Sequence, residues 1–425
     1  MQKTYLLDQV QILHGSKKKV VVDAALIKEG KIAAFGEEAR RISQRFKIRP
    51  YRNSEKLLLA PCLVDPHSYL TQPFNDLSEN LSIFRVNAAN AGYGQVGILP
   101  RSPLWRDCSD RLKGFEDHNS HVELHLWGSF SKGGEGRQLA PHADLLQNGA
   151  IGLVDDDAML PLELISQAFQ LNEFKGKPIL IAPRDKRIQG DGLVRESVEA
   201  LQAGWVPDPI GSETIPLSQL IEIHRLYPFV SLRLMNISTK DGVEMINSKS
   251  ANLMTSVSWW HLITDSSALE MTDMGWRVTP SLGGKEDRKA LLKGLQEKRL
   301  NAIAVNSISL DPQETALPPQ IRTAGLSGHN LVLPFLWQEL IAKDNWPVED
   351  LWNGLSFGPS EMIGVREESL KVGSNRWLLF DPEKKWHHRL PKERTSRTAN
   401  IPFQEQTITG EIIDCGLIDA TIQLY

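Results

Sequence analysis

Cysteine is scarce in this chain: three among 425 residues, at Cys62, Cys108 and Cys415, with no metal-binding or redox spacing between them. That argues against a disulfide framework or a thiolate zinc ribbon and for neutral thiols in a reducing compartment. A basic excess is missing as well. With 48 Lys and Arg against 52 Asp and Glu the formal net charge is −4, so nothing suggests the phosphate-neutralising surface of a nucleic-acid binder. Nowhere do 18 apolar residues run together, and no membrane-spanning helix is expected. The opening "MQKTYLLDQVQILHG" lacks the basic segment and long apolar core of a secretory leader, and a cytoplasmic location is expected. Internal repeats and low-complexity runs are also missing.

What is present is α/β material. A chain of 425 residues holds two or three domains, or one large barrel with an appendage. The first stretch, "TYLLDQVQIL" and "KKVVVDAALIKEGKIAAFG", reads as short strands with Gly30 and Gly36 at the turns, the material of a small β domain. From "KLLLAPCLVDPH" onward apolar runs alternate with helical stretches, the pattern of a parallel sheet. The strand candidates are "LLLAPCLVD", "GQVGILP", "VELHLWG", "GAIGLVDD", "PILIAP", "FVSLRLMN", "ANLMTSVS" and "LNAIAVN", and eight is the barrel number. Helices are expected at "LPLELISQAFQLNEF" and at "KEDRKALLKGLQEKR", where Leu291 and Leu295 share a face. "GWVPDPIGSETIPLSQL", 204–220, reads as a long loop leading into a helix. Strand-like sequence returns after 365 in "NRWLLFDPEKKWHH" and "QEQTITGEIIDCGLI". The expected fold is therefore α/β, a (β/α)8 TIM-type barrel over 59–364, with a small composite β domain built from both chain ends, 1–58 and 365–425.

Several blocks resemble dihydroorotase, in the cyclic-amidohydrolase branch of the amidohydrolase superfamily. "LVDPHSYLTQP" is similar to the family's P-G-x-x-D-x-H-x-H-x-R-x-P, "GAIGLVDDDAML" to G-A-x-x-F-S-D-D-G, and "LRLMNISTKDGVEMI" to its H-x-S-T strand and turn. "TPSLGGKEDRKALLKGLQEKRLNAIAVNSISLDPQE" follows its N-P-P-L-R, E-D-x-x-A-L-x-x-G-L and D-A-I-A-T-D-H-A-P-H sequence. The resemblance implies a metal-dependent hydrolase of cyclic amides, yet the residues that carry such chemistry differ. Of the first metal pair His67 stands, and its partner is Tyr69, whose phenol is a poor ligand. The strand carboxylate falls on Asp155 or Asp156, with Asp157 where the family has Gly; two further histidine positions fall on Ala182 and Asn236, and the catalytic aspartate on Asn306. On the substrate side, the family's carboxylate-gripping arginine is Thr71 and its M-P-N-T asparagine is Arg101.

A catalytic zinc takes at least three protein ligands, and the inherited positions offer His67 and one carboxylate, Asp155 or Asp156. An amide at Asn306 has no titratable lone pair with which to relay a proton. No catalytic residue and no cofactor are therefore expected. The expected protein is a dihydroorotase-like chain of pyrimidine biosynthesis without the activity, structural or regulatory in use. The resemblance implies aspartate carbamoyltransferase as a partner, since inactive dihydroorotase-like chains assemble with it; a homo-oligomer is the other expected assembly. The alternative is a divergent metal-dependent cyclic amidohydrolase, holding zinc through His67, Asp155 or Asp156, His261 and histidines not placed by sequence. A third is a non-catalytic binder of a small cyclic amide.

Other features have plain readings. Asp155-Asp156-Asp157 reads as a solvated strand end rather than a calcium site, and His261 as a core histidine. Trp259 and Trp260 suggest bulk in the barrel mouth, "SKGGEG" at 131–136 a flexible loop, and His387-His388 an exposed pair.

Overall fold

A computed structural model describes residues 4–70, 77–101, 104–115, 120–156, 158–246, 252–268, 273–389 and 398–418. The chain opens with β1 (Thr4–Ile12), β2 (Val21–Lys28) and β3 (Lys31–Phe35), an antiparallel meander. Helix Gly36–Phe46 follows, in a stretch expected to hold strands alone. Glu37 and Glu38 in its first turn and Arg45 in its last suit the helix dipole. β4 (Leu58–Pro61) then returns to pair in parallel with β1.

The barrel begins only at β5 (Leu63–Ser68). The expected first strand "LLLAPCLVD" is thus two strands in two different sheets. They divide at Cys62 because local carbonyls are taken by a neighbouring helical segment: Trp352 Nε1 donates to Pro61 O at 3.0 Å and Ser356 Oγ to Cys62 O at 2.7 Å. β6 (Tyr93–Ile98) and β7 (Glu123–Leu126) extend the sheet in parallel. β8 (Gly128–Ser129) carries the β7 strand across to β9 (Leu153–Val154), and β10 (Ile179–Ile181) pairs with β9. A separate parallel pair, β11 (Val194–Arg195) and β12 (Pro207–Asp208), intervenes. β13 (Leu232–Leu234), β14 (Leu253–Ser258) and β15 (Ala302–Ala304) complete the order. Tyr69 N donates to Ser307 O at 2.9 Å, joining the last strand to the first. With β7 and β8 counted as one strand, the eight expected barrel strands are present in chain order.

β16 (Trp377–His387) and β17 (Thr407–Cys415) return to the opening sheet, whose order is β17-β16-β4-β1-β2-β3. Both ends of the chain therefore build one β domain. The expected long loop at 204–220 is mostly helix, Gly211–Leu226, with Pro216 inside it. Burial of Pro216, Leu217, Leu220 and Ile223 outweighs the missing ladder bond, since the proline ring already has a helical φ.

Two cores matter for the site. Val64, Tyr69, Leu99, Trp127, Ala182 and Met235 are among the residues that fill the inside of the barrel. Trp259 and Trp260 belong instead to the layer between barrel and helices. They do not occupy the mouth as expected, because Trp260 Nε1 is drawn to Gly275 O at 2.9 Å and its ring packs on Phe403.

Candidate functional site

The C-terminal ends of barrel strands converge at the face where such folds place their chemistry. His67, on β5, is fully buried. Its Nε2 lies 2.9 Å from Ser256 Oγ on β14, and that hydroxyl also accepts the Asn236 N–H at 2.9 Å. Either the imidazole N–H or the serine O–H donates across this contact, and the hydroxyl is held to both His67 and Asn236. Burial pushes the ring down to about 4, against the opposing pull of the Asp65 carboxylate. His67 is therefore neutral at pH 7, with its Nε2 engaged by Ser256.

Tyr69 turns into the barrel core, and its hydroxyl donates to Asp156 Oδ1 at 2.6 Å. Arg101 Nη1 stands 3.1 Å from Asp156 Oδ2, and its guanidinium lies 4.5 Å from the centre of the Tyr69 ring. Three positions expected to play separate parts thus form one connected unit. Asp155 turns the other way. Its Oδ1 accepts from Ser129 Oγ at 2.9 Å and Ser131 N at 2.8 Å, and its Oδ2 from Ser131 Oγ. Burial raises the Asp155 pKa, opposed by these hydrogen bonds. The two aspartates were interchangeable by sequence, and the geometry puts Asp156 at the mouth. The "SKGGEG" loop is pinned rather than free: Asp155 holds Ser131, Asp107 Oδ2 accepts the Gly133 N–H at 2.8 Å, and Ser131 Oγ accepts that of Gly136 at 2.8 Å.

Ala182 is buried in the inner core and brings no donor. Asn236 and Asn306 both sit in the left-handed region, with φ of 54° and 50°, where asparagine is favoured over most side chains. Asn306 Nδ2 donates to Thr279 O at 3.0 Å. Its side chain stands beside the His67 ring and pulls the imidazole pKa upward, although no contact between the two meets hydrogen-bond geometry. His67 Nδ1, Asn236 Oδ1 and Asn306 Oδ1 are all buried with no protein partner. Thr71 and Asp157 lie outside the described residues.

His261 is a buried core histidine, its Nε2 3.2 Å from Pro280 O, and burial lowers it to about 4. The expected exposed pair at 387–388 is half right. His387 is exposed beside Glu405, whereas His388, just past β16, is 3% exposed with its ring against Trp386, its backbone paired with Gln406 and Glu405. Sequence reasoning missed Ser256, which nothing in "ANLMTSVS" distinguishes, and Asp65, which accepts from Val305 N at 3.0 Å, Ser68 Oγ at 2.5 Å and His329 Nε2 at 3.2 Å. The D-x-H spacing of "VDPH" could have found Asp65.

No family model matches the chain. A "Probable dihydroorotase-like protein" of Synechocystis sp. is 31% identical over 444 aligned positions, covering 96% of this chain and 97% of that relative. This chain belongs to the dihydroorotase-like family. A dihydroorotase of Thermus aquaticus is 25% identical, covering 89% of this chain and 90% of its own. The L-hydantoinase of Arthrobacter aurescens superposes with a TM-score of 0.76 at 17% identity, covering 96% and 93% of the two chains, and shows the shared fold.

The dihydroorotase-like family implies a divalent metal, and the donors at this mouth do not fit one. The Nε2 of His67 is engaged by Ser256, Tyr69 is a donor to Asp156, Asp156 is neutralised by Arg101, and Asn306 Nδ2 faces a carbonyl. Among the described residues no three of His, Cys, Asp and Glu converge as a metal-holding group. In this dihydroorotase-like chain the ligand positions Tyr69 and Asp156 bind each other, and His67 binds Ser256.

Proposed function

We propose that this dihydroorotase-like protein does not open or close cyclic amides and serves a structural or regulatory role, with aspartate carbamoyltransferase as its partner. The observation that carries the reading is the Tyr69–Asp156–Arg101 unit, in which two ligand positions and one substrate-side position pair with one another. Metal coordination lowers the pKa of bound water from about 15.7 to about 7, roughly 12 kcal/mol of proton affinity. No side chain of the described mouth replaces that, and Asn306 cannot shuttle the proton. The aspartate carbamoyltransferase partnership rests on the family resemblance alone. A cytoplasmic location accords with the free thiols of Cys62, Cys108 and Cys415; among the described residues no helix is long and apolar enough to cross a membrane.

The test is an assay in both directions, cyclisation of carbamoyl-aspartate and opening of dihydroorotate, with co-elution against aspartate carbamoyltransferase from the same source. Turnover near 1 s⁻¹, within the ordinary enzyme range, overturns the reading of inactivity. Failure to co-elute overturns the partner. A second reading is favoured by the buried, unpartnered His67 Nδ1, Asn236 Oδ1 and Asn306 Oδ1. Buried polar atoms are nearly always satisfied, and these three suit a neutral, N–H-bearing cyclic amide held without reaction.

A further inference from the structure

A cavity of about 580 Å³ lies at the end of the barrel opposite the mouth. Its position follows from the strands: Met254, near the start of β14, and Leu300 and Asn301, just before β15, line it, whereas Asn306 beyond the other end of β15 belongs to the mouth. Three parts of the chain meet there. They are the β1–β2 connection at Ser16 and Lys17, the turn after helix Lys285–Gln296, and the helical run at 348–363 with the linker that returns to the β domain.

The helical wall is fitted closely to the strand. Residues Asn353–Phe357 form a π-helical turn, a geometry common at functional sites. Next to it a Cβ on Gly358 would come within 1.8 Å of Asn301 O. The lining is amphipathic: Met254, Leu300, Ile303, Trp346 and Phe357 are buried and apolar. Five charges stand around them, Lys17 and Lys298 of one sign, Asp350, Glu361 and Glu367 of the other. The cations come from the two turns and the carboxylates from the helical run and linker. Among the described residues none of the five makes an ion pair within 4 Å, and Glu361 alone acts at longer range, on Arg233.

Opposite charges that border one cavity without meeting leave each sign available to a ligand that spans them, and the size is that of small-molecule sites. We propose that this cavity binds a small zwitterion with an apolar body of about dipeptide size, its carboxylate toward Lys17 and Lys298 and its ammonium toward Asp350, Glu361 and Glu367. Such a ligand would tie the β domain to the barrel floor, and the site is independent of the mouth.

The test is calorimetric titration of the full chain with L-leucyl-L-leucine, N-acetyl-L-leucyl-L-leucine and L-leucyl-L-leucinamide, the last two carrying one charge each on nearly the same body. Saturable binding of the zwitterion at least about tenfold tighter than either analogue is expected. Lys298→Glu and Glu367→Lys, both exposed positions, should each weaken it by at least about tenfold with the ligand-free melting temperature unchanged. Lys17→Glu repeats the test should Lys298→Glu fail to fold. Equal affinity for a single-charge analogue, affinity unmoved by the charge reversals, or no saturable binding at millimolar dipeptide overturns the proposal.

Discussion

Tyr69 and Asp156, 87 residues apart in sequence, meet across the barrel mouth at 2.6 Å, hydroxyl to carboxylate. A hydrogen bond to a charged acceptor contributes about 1.5–3 kcal/mol, so Tyr69→Phe should cost about that much in urea denaturation and bring no activity. Arg101→Ala should cost less, about 1 kcal/mol at most, because that ion pair is partly solvated. A Tyr69→Phe variant of unchanged stability would show that this contact does not stabilise the fold.

Zinc and chelators should leave the melting temperature of the unmutated protein unchanged, since a metal held only by the native state would raise it by mass action. Combining Tyr69→His, Ala182→His, Asn236→His and Asn306→Asp should restore stable zinc binding only when Ser256→Ala releases His67 Nε2. Elemental analysis after dialysis reads the outcome. About one zinc per chain in the fourfold variant, with Ser256 still in place, would refute the engagement of Nε2 described above.

Asn306→Asp alone should yield no dihydroorotase turnover, because a base without an activated water has nothing to deprotonate. The substitution also sets a carboxylate against Thr279 O where Nδ2 now donates. Its folded-state pKa should rise above the unfolded value of about 3.9. The variant should then match its parent below that value and lose stability relative to it as pH rises through the unfolded pKa. Melting temperatures at pH 4 and pH 8 check the sign, and a larger deficit at the lower pH would contradict it.

Acid should loosen the barrel through His67 and His261, both lowered to about 4 by burial. Above the unfolded imidazole pKa of about 6.5 neither contributes a penalty. As pH falls from there toward 4, the unfolded chain binds protons that the folded one refuses, a loss approaching about 3 kcal/mol per ring. Asp155, with its raised pKa, acts in the opposite sense at the acid end. Urea midpoints from pH 7 to pH 4 measure the slope, and His261→Gln should flatten it; an unchanged slope would remove His261 from the account.

Barrel strands could be read from sequence because each is a short apolar run bounded by polar turns, and the burial of Leu291 on helix Lys285–Gln296 follows the same local pattern. Helix Gly36–Phe46 was missed because it carries few apolar residues and only Ala39 and Ser43 are buried. The break at Cys62 and the length of helix Gly211–Leu226 escaped for a different reason. Both depend on groups far along the chain, Trp352 and Ser356 in the first case and the buried face of the helix in the second.

The donor inventory belongs to the sequence by itself. A phenol at Tyr69, a methyl at Ala182 and amides at Asn236 and Asn306 are covalent facts, and none can become an imidazole or a carboxylate in any fold. Which partner each surviving group takes was decided only by tertiary structure. His67 meets Ser256 across 189 residues, Asp156 rather than Asp155 faces Tyr69, and Trp259 and Trp260 pack outside the barrel. Ionisable character is carried by the residue. Pairing and burial require strands distant in sequence to be neighbours in space, and no local pattern encodes that distance.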